Sequence, residues 1–216
     1  MEICKTCHGG CCRNFTVGLT GVDIINISKT LGVLPSSFVD VIAVEEGADI
    51  EHKSKHAALF RFSDFGAEKY YVLGIKMIES SLVPATAKCQ FLLEWNSDNE
   101  NPTIEGLIAR CGIYSCRPLI CAAFPTKFGE TEATAVMVNT SAFEQVFEHP
   151  VYKTCAKAPS LEDISGADEI IKTLVLKKYE VEFFKKVAFE WNKNPQTLAE
   201  FWTFLAKIYQ NRVVIE

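Results

Sequence analysis

The segment Cys4-Lys5-Thr6-Cys7-His8-Gly9-Gly10-Cys11-Cys12 places four thiols within nine residues near the start of the chain. Two cysteines three positions apart on a tight turn can present both sulfurs to one metal ion, while nearby backbone amides donate to the sulfurs. Cysteine is otherwise often a small buried hydrophobe, but the lysine, histidine and glycines make this segment too polar for that role. The segment therefore predicts a metal-binding loop.

The last two cysteines of this loop are adjacent in the chain. In an extended backbone, neighbouring side chains point in opposite directions, so Cys11 and Cys12 are not expected to reach the same ion. Either the two thiols serve different metals, or one of them supports the centre without binding it.

Five further cysteines follow the loop, and they raise the total to nine: Cys89, Cys111, Cys116, Cys121 and Cys155. The odd count argues against a fully paired disulfide framework. The first residues lack the basic start and apolar core of a signal peptide, so we expect a cytoplasmic protein. In that reducing compartment, crowded cysteines are explained more readily by metal than by disulfides.

The middle cysteines form part of a longer ordered pattern. It consists of Cys89-Gln90-Phe91-Leu92, then Cys111-Gly112-Ile113-Tyr114-Ser115-Cys116-Arg117-Pro118 with Cys121, and finally Phe124-Pro125. Together with the cysteine-rich start, the pattern resembles the YkgJ-type cysteine-cluster family, whose domain is described as zinc- or iron-chelating. The resemblance covers about residues 4–155. The metal ligands that it implies are Cys4, Cys7, Cys11, Cys12, Cys89, Cys111, Cys121 and, as a late member, Cys155.

The chain departs from the family pattern at three places, which leaves the ligand set open. Cys116 occupies a variable position of the motif, so a ligand role and a half-buried thiol without one are both compatible with the sequence. Ala122 stands where an arginine often follows the last motif cysteine. Three residues separate Cys7 from Cys11, where two are common.

Cysteine spacing does not decide between zinc and iron. The cysteine runs of bacterial ferredoxins, plant-type ferredoxins and radical-SAM enzymes are absent. Eight thiolates would close two tetrahedral zinc sites, or four would hold one [4Fe–4S] cluster while the others bind zinc or stay in reserve. We favour the cluster, because dispersed ligands suit a polynuclear centre and the resemblance permits iron.

Basic side chains accompany the cysteines, each within two residues of one: Lys5, Arg13, Lys88, Arg110 and Arg117. A centre of four thiolates around Zn²⁺ is anionic, so these cations are expected to offset its charge and donate to sulfur. Arg117 is the first candidate, because the family motif holds Arg-Pro at this place. A structural ion pair is the alternative role.

The other polar groups carry weaker signals. We interpret the carboxylates of Glu94, Asp98 and Glu105 as ordinary surface groups. The charged run that contains His52 and His56 indicates a solvated surface. These residues are therefore not expected to bind the metal.

Three functions are compatible with the cysteines. The first is a metal-binding protein whose centre is structural or serves metal handling or redox sensing. The second is implied by the similar cysteine cluster of flagellin lysine N-methylases, namely iron–sulfur-dependent protein methylation, although no glycine-rich loop for S-adenosylmethionine is evident. The third is a thiol–disulfide oxidoreductase with Cys4 and Cys7 as its redox pair, but the expected βαβ context is missing. No catalytic residue is assigned.

Composition narrows the class of protein further. The chain has 216 residues, of which 48% are apolar, and a net charge of −5 without a basic stripe, so we expect a globular protein that does not bind nucleic acid. Its most apolar stretch contains arginines and a proline, so no membrane span is expected. The sequence does not identify a protein partner.

Hydrophobic periodicity predicts an α+β fold, in which a small antiparallel sheet carries the cysteine-rich loops under a cover of helices. Helices are predicted over 22–31, over 36–44, from 165 to 191 and from 198 onward, where the last two form a C-terminal helical pair. Residues 57–62 and 70–78 are predicted to form a hairpin, with a further strand over 132–139. We expect a metal-binding domain over 1–160 and a helical extension over 161–216 packed on it.

Overall fold

The structure is a computed structural model that describes residues 8–66, 68–96, 106–129, 134–138, 151, 167–210 and 212. The described helices are α1 (Cys11–Asn14), α2 (Gly21–Leu31), α3 (Ile50–His56), α4 (Leu119–Ala123), α5 (Ala167–Trp191) and α6 (Leu198–Gln210). The described strands are β1 (Val39–Ala43), β2 (Tyr71–Ile75), β3 (Met77–Glu79), β4 (Ala87–Cys89), β5 (Leu92–Asn96), β6 (Leu107–Cys111), β7 (Thr126–Phe128) and β8 (Ala135–Met137). This combination of small two-stranded sheets and helices confirms the predicted α+β class.

The chain divides into two compact units. The first contains residues 1–17 and 75–175, and the second contains residues 18–74 and 176–216. Every described cysteine belongs to the first unit, and the residue ranges of the second unit contain no cysteine. The predicted domain boundary near residue 160 lies outside the described residues and stays a prediction.

The described part of the first unit contains three short antiparallel strand pairs: β3 with β4, β5 with β6, and β7 with β8. The β5–β6 pairing sets Leu92 opposite Cys111. Gly9, in the turn before α1, has a φ of +78°, and a Cβ there would lie 2.9 Å from the Leu92 Cδ2 and 3.1 Å from the Ala109 Cβ. The turn that leads into Cys11 and Cys12 therefore packs directly on the β5–β6 pair.

Helix α2 of the second unit has the boundaries that its sequence predicts. The backbone N–H of Thr20 donates to the Asp23 carboxylate at 2.8 Å, which completes a capping box, and Gly32 ends the helix in the left-handed region at φ +66°. Both signals lie within a few residues of the helix ends, so they act regardless of the rest of the fold.

The prediction for residues 36–44 is wrong. The structure has a short 3₁₀ turn at Pro35–Ser37 and then strand β1, which pairs with β2. The β-branched side chains of β1 favour a strand once a partner is available, and that partner is about thirty residues away in the sequence. Because β2 pairs with β1, the hairpin predicted over 57–62 and 70–78 is represented by one antiparallel bridge, between Phe60 and Tyr71.

The two C-terminal helices form as predicted, and their aromatic residues contribute to the core of the second unit. The ring centroid of Phe60 lies 4.9 Å from those of Phe184 and Phe201, and Trp191 lies 5.0 Å from Phe201. Tyr179 of α5, by contrast, is 59% exposed. No described helix is both long enough and apolar enough to cross a membrane.

A buried ion pair also lies in the second unit. The guanidinium of Arg212 donates to both carboxylate oxygens of Glu180, at 2.8 and 2.7 Å, and stacks 3.9 Å from the ring centroid of Phe183. The Glu180 side chain is only 4% exposed. Two parallel hydrogen bonds to a carboxylate give such a pair both strength and a fixed geometry.

Candidate metal centre

Several short segments of the first unit carry the predicted thiols. Helix α1 carries Cys11 and Cys12, β4 ends at Cys89, and β6 ends at Cys111. The remaining described thiols, Cys116 in a 3₁₀ turn and Cys121 in α4, follow β6 closely. Three of the predicted ligands lie outside the described residues: Cys4, Cys7 and Cys155.

The adjacent thiols of α1 lie close together, contrary to the divergence expected for an extended backbone. The Sγ atoms of Cys11 and Cys12 are 3.9 Å apart. The reason is that this segment is a helical turn, in which neighbouring side chains are rotated by about 100° and not by 180°. Two thiolates on one tetrahedral zinc ion, each about 2.3 Å from the metal, would be about 3.8 Å apart, so the observed spacing fits shared binding.

The thiols of β4 and β6 lie within electrostatic reach of α1. Burial, with smaller contributions from the neighbouring thiols of Cys111 and Cys11, raises the pKa of Cys89 to about 11. Burial also raises the pKa of Cys111, with contributions of the same sign from Cys116 and Cys11. The pKa of Cys11 is raised, first by its hydrogen bond with Cys12 and then by loss of contact with water. Thiols from three separate segments therefore influence one another.

The described residues do not close a coordination site by themselves. Among them, no three cysteine, histidine, aspartate or glutamate side chains are placed so that they could hold a metal ion. The chemistry of the donors nevertheless fits zinc or iron, both of which bind thiolates. A complete site would draw on the described thiols together with those of Cys4, Cys7 or Cys155.

The carboxylate of Glu94 is buried beside the thiols, at the centre of a group of polar contacts. The prediction that Glu94 is an ordinary surface group is therefore wrong. The Oε2 of Glu94 accepts a hydrogen bond from Arg13 Nη2 at 2.6 Å, and its Oε1 accepts from Ser80 Oγ at 2.5 Å. The Nζ of Lys88 lies 3.4 Å from the same Oε1. The side chains of Glu94 and Arg13 are 2% and 0% exposed.

The environment of Glu94 keeps it ionised. Burial alone would raise the pKa of this carboxyl, but the hydrogen bonds from Ser80 and Arg13 outweigh that effect and lower the pKa below its ordinary value. The sequence contains one indication that Glu94 is buried. Side chains two positions apart on a strand share a face, and the apolar Leu92, two positions before Glu94, is buried on that face. Asp98 and Glu105 lie outside the described residues.

The cations predicted to accompany the cysteines have different partners. Arg13 and Lys88 form structural ion pairs with Glu94. Arg110 lies 5.6 Å from the ring centroid of Trp95. Arg117 lies 4.2 Å from the ring centroid of Tyr114, and its charge lowers the pKa of Cys111 against the effect of burial. Arg117 therefore affects the pKa of a predicted ligand, Cys111. Lys5 lies outside the described residues.

The histidines of α3 take the solvated position predicted for them. His52 and His56 are both exposed, with ring centroids 5.0 Å apart on one face of the helix. They belong to the second unit, whose residue ranges contain no cysteine. The structure therefore adds no support for a role of these rings in the centre.

One comparison with known proteins gives a match. The family model CxxCxxCC, described as "Putative zinc- or iron-chelating domain", matches residues 3–146, which is more than half of the 216 residues. No curated protein and no solved structure matches the chain. The matched range includes all the proposed ligands except Cys155.

Proposed function

Because the chain belongs to the CxxCxxCC family of zinc- or iron-chelating domains, we propose that its first unit holds a thiolate metal centre whose role is structural. The proposed ligands are Cys4, Cys7, Cys11, Cys12, Cys89, Cys111, Cys121 and Cys155. The main observation in support of this proposal is the 3.9 Å separation of the Cys11 and Cys12 sulfurs, which suits two thiolates on one ion. That spacing favours zinc.

The architecture of the first unit supports a structural role. Its described strands are three to five residues long, and α1 and α4 have four and five residues. Isolated elements of this length are marginal in water. A metal that joins thiols from separate segments would stabilise them together, because its binding energy then becomes folding energy.

An iron–sulfur cluster is the second candidate. The observation in its favour is that Cys11, Cys89 and Cys111, from three separate segments, lie within electrostatic reach of one another. A [4Fe–4S] cluster takes four cysteine ligands, one for each iron, so it suits thiols contributed by several segments. This arrangement does not use the close pairing of the α1 thiols, which is why zinc is preferred.

Purification without oxygen, followed by metal and acid-labile sulfide analysis and a visible spectrum, separates the candidates. We expect zinc, no sulfide and a colourless protein. Iron and sulfide in similar amounts with a broad visible absorption would establish the cluster instead, and would make methyl transfer worth testing. Protein that contains neither metal, and takes up neither when reduced, would refute the proposal.

The ligand set can be tested with two serine variants of neighbouring cysteines. Cys111→Ser should reduce the amount of metal bound or weaken its binding, whereas Cys116→Ser should keep both at the wild-type level. Cys116 is a matched control, because it lies near Cys111 and affects its pKa but is not among the proposed ligands. Equal losses in the two variants would add Cys116 to the ligands.

The structural role makes a separate prediction about the two units. Removing the metal with a chelator should increase amide hydrogen exchange in β3 to β6 but leave α5 beyond residue 176 and α6 protected. Unchanged exchange in β3 to β6 would show that the metal does not stabilise the fold, and would favour a role in metal handling.

A further inference from the structure

We infer that Glu94 is a positioning residue for the thiolate centre, because it holds the cysteine-bearing segments of the first unit in register. This inference rests on the proposed function. Glu94 is on β5, which is paired with the strand that ends at Cys111. Its contacts extend from there to the two other segments that carry interacting thiols.

The first of these contacts fixes helix α1. Arg13 follows Cys12 directly, and its Nη2 donates to Glu94 Oε2 at 2.6 Å. The Nε of Arg13 also donates to the backbone carbonyl of His8 at 3.3 Å, so the same guanidinium ties the turn before α1 to the helix. Because Arg13 is fully buried, its position leaves the adjacent thiols little freedom to move relative to β5.

The second set of contacts fixes β4. Lys88 precedes Cys89, and its Nζ lies 3.4 Å from Glu94 Oε1 and donates to the Leu92 carbonyl at 3.0 Å. The hydroxyl of Ser80, just after β3, donates to the same Oε1 at 2.5 Å. The one carboxylate therefore joins the segments that carry Cys12 and Cys89 to the strand pair that ends at Cys111.

The charges around Glu94 allow a test, because charge and positioning predict opposite changes in the affinity for metal. Two buried cations, Arg13 and Lys88, surround one carboxylate, and among the described residues neither cation is paired with a second carboxylate. Glu94→Gln would increase the local positive charge. If only charge mattered, that change would strengthen the binding of an anionic thiolate centre, whereas loss of positioning would weaken it.

The experiment compares Glu94→Gln with Glu180→Gln in the full chain. Glu180 is a matched control, because it is also buried and paired with an arginine but lies in the unit whose residue ranges contain no cysteine. We measure zinc affinity by competition with a chromogenic chelator, and the alkylation rates of Cys11, Cys12 and Cys89 in the metal-free protein. Glu94→Gln should weaken zinc binding about tenfold or more, as changes in groups that support metal ligands do, and should accelerate alkylation. Glu180→Gln should change neither quantity.

Three outcomes would decide against the inference. Unchanged or tighter zinc binding by folded Glu94→Gln would overturn the positioning role while leaving the proposed function intact. Equal effects of Glu94→Gln and Glu180→Gln would show a general loss of stability. If Glu94→Gln does not fold, Ser80→Ala replaces it, because this variant removes one hydrogen-bond donor to Glu94 and leaves no unpaired charge. Ser80→Ala should accelerate alkylation and weaken zinc binding to a smaller degree. Wild-type behaviour of Ser80→Ala would overturn the inference. A wild-type protein that binds no zinc or iron would refute the proposed function itself.

Discussion

Arg13 and Glu94, which are 81 positions apart in the chain, form a fully buried ion pair with an N–O distance of 2.6 Å. Two buried charges stabilise a fold only while both are present, because each one compensates the desolvation of the other. The pair therefore makes the beginning of the first unit dependent on strands far along the sequence.

Replacing Arg13 with methionine should lower the free energy of unfolding of the metal-free protein by about 3–5 kcal/mol, because Glu94 loses its closest cation in a buried site. The measurement is chemical denaturation followed by circular dichroism. Lys193→Met is the control: its pair with Glu190 is 57% and 60% exposed, and such surface pairs contribute at most about 1 kcal/mol. Similar losses in the two variants would contradict the energetic importance of the buried pair.

Glu94 should also contribute to stability in a pH-dependent way. Its pKa is lower in the folded protein than the ordinary value of about 4.3, so its contribution is complete above that value and is lost as the pH falls through the folded pKa. The difference in unfolding free energy between wild type and Glu94→Gln should therefore be constant at neutral pH and shrink as the pH falls below the ordinary pKa of a glutamate. A difference that grows on acidification would show that the shift has the opposite sign.

Metal binding should release protons, because the thiols of Cys89, Cys111 and Cys11 have raised pKa values and are protonated in the metal-free protein at neutral pH. Zinc affinity should therefore fall as the pH is lowered. Calorimetric titration in two buffers with different ionisation enthalpies measures the number of protons released. A binding heat that is the same in both buffers would indicate ligands other than thiols.

Gly9→Ala should disturb the loop that carries the first thiols. The substitution adds strain at φ +78° and places a Cβ 3.1 Å from the Cβ of Ala109, which cannot rotate away. Gly32→Ala isolates the strain term, because its φ is +66° but its Cβ would contact nothing within 4 Å. We expect a loss of roughly 1–2 kcal/mol for Gly32→Ala and a larger loss for Gly9→Ala. Only Gly9→Ala should change the alkylation rates of Cys11 and Cys12, and equal rates in the two variants would argue against the seating of this turn.

Phe201→Ala should destabilise the second unit without affecting the metal. Phe201 is fully buried among aromatic rings, and removing such a side chain costs about 3–5 kcal/mol. Phe189→Ala, at a ring that is 66% exposed, should change stability by no more than about 0.5 kcal/mol. Thermal unfolding followed by circular dichroism measures both effects. A loss of bound metal in folded Phe201→Ala would contradict the assignment of the centre to the first unit.

Local signals explain which elements could be predicted from the sequence. Helix α2 has its capping box and its terminal glycine within the helix and its immediate neighbours. Helix α6 similarly begins where Thr197 and Glu200 exchange hydrogen bonds. Strand β1 has no such signal, because its structure depends on pairing with β2. The error over 36–44 reflects this dependence on a distant partner.

At the candidate site, the sequence predicts which residues carry the chemistry but not which residues contact one another. The motifs identify the thiols, because cysteine itself carries the chemistry. They do not reveal the role of Glu94, whose partners Arg13 and Lys88 come from different parts of the chain. The closeness of Cys11 and Cys12 was also missed, because the expectation assumed an extended backbone where the structure has a helical turn.

The uneven surroundings of the tryptophans have a practical consequence. Trp95 belongs to the first unit and is 40% exposed beside Arg110, whereas Trp191 belongs to the second unit and is 6% exposed among aromatic rings. Their indole fluorescence should therefore differ in wavelength and in accessibility to an aqueous quencher. Together with Trp202, they are the three tryptophans of the chain, so replacing two of them with phenylalanine leaves one optical reporter in a chosen unit. Such variants would allow the response of each unit to metal or denaturant to be followed separately in a single molecule.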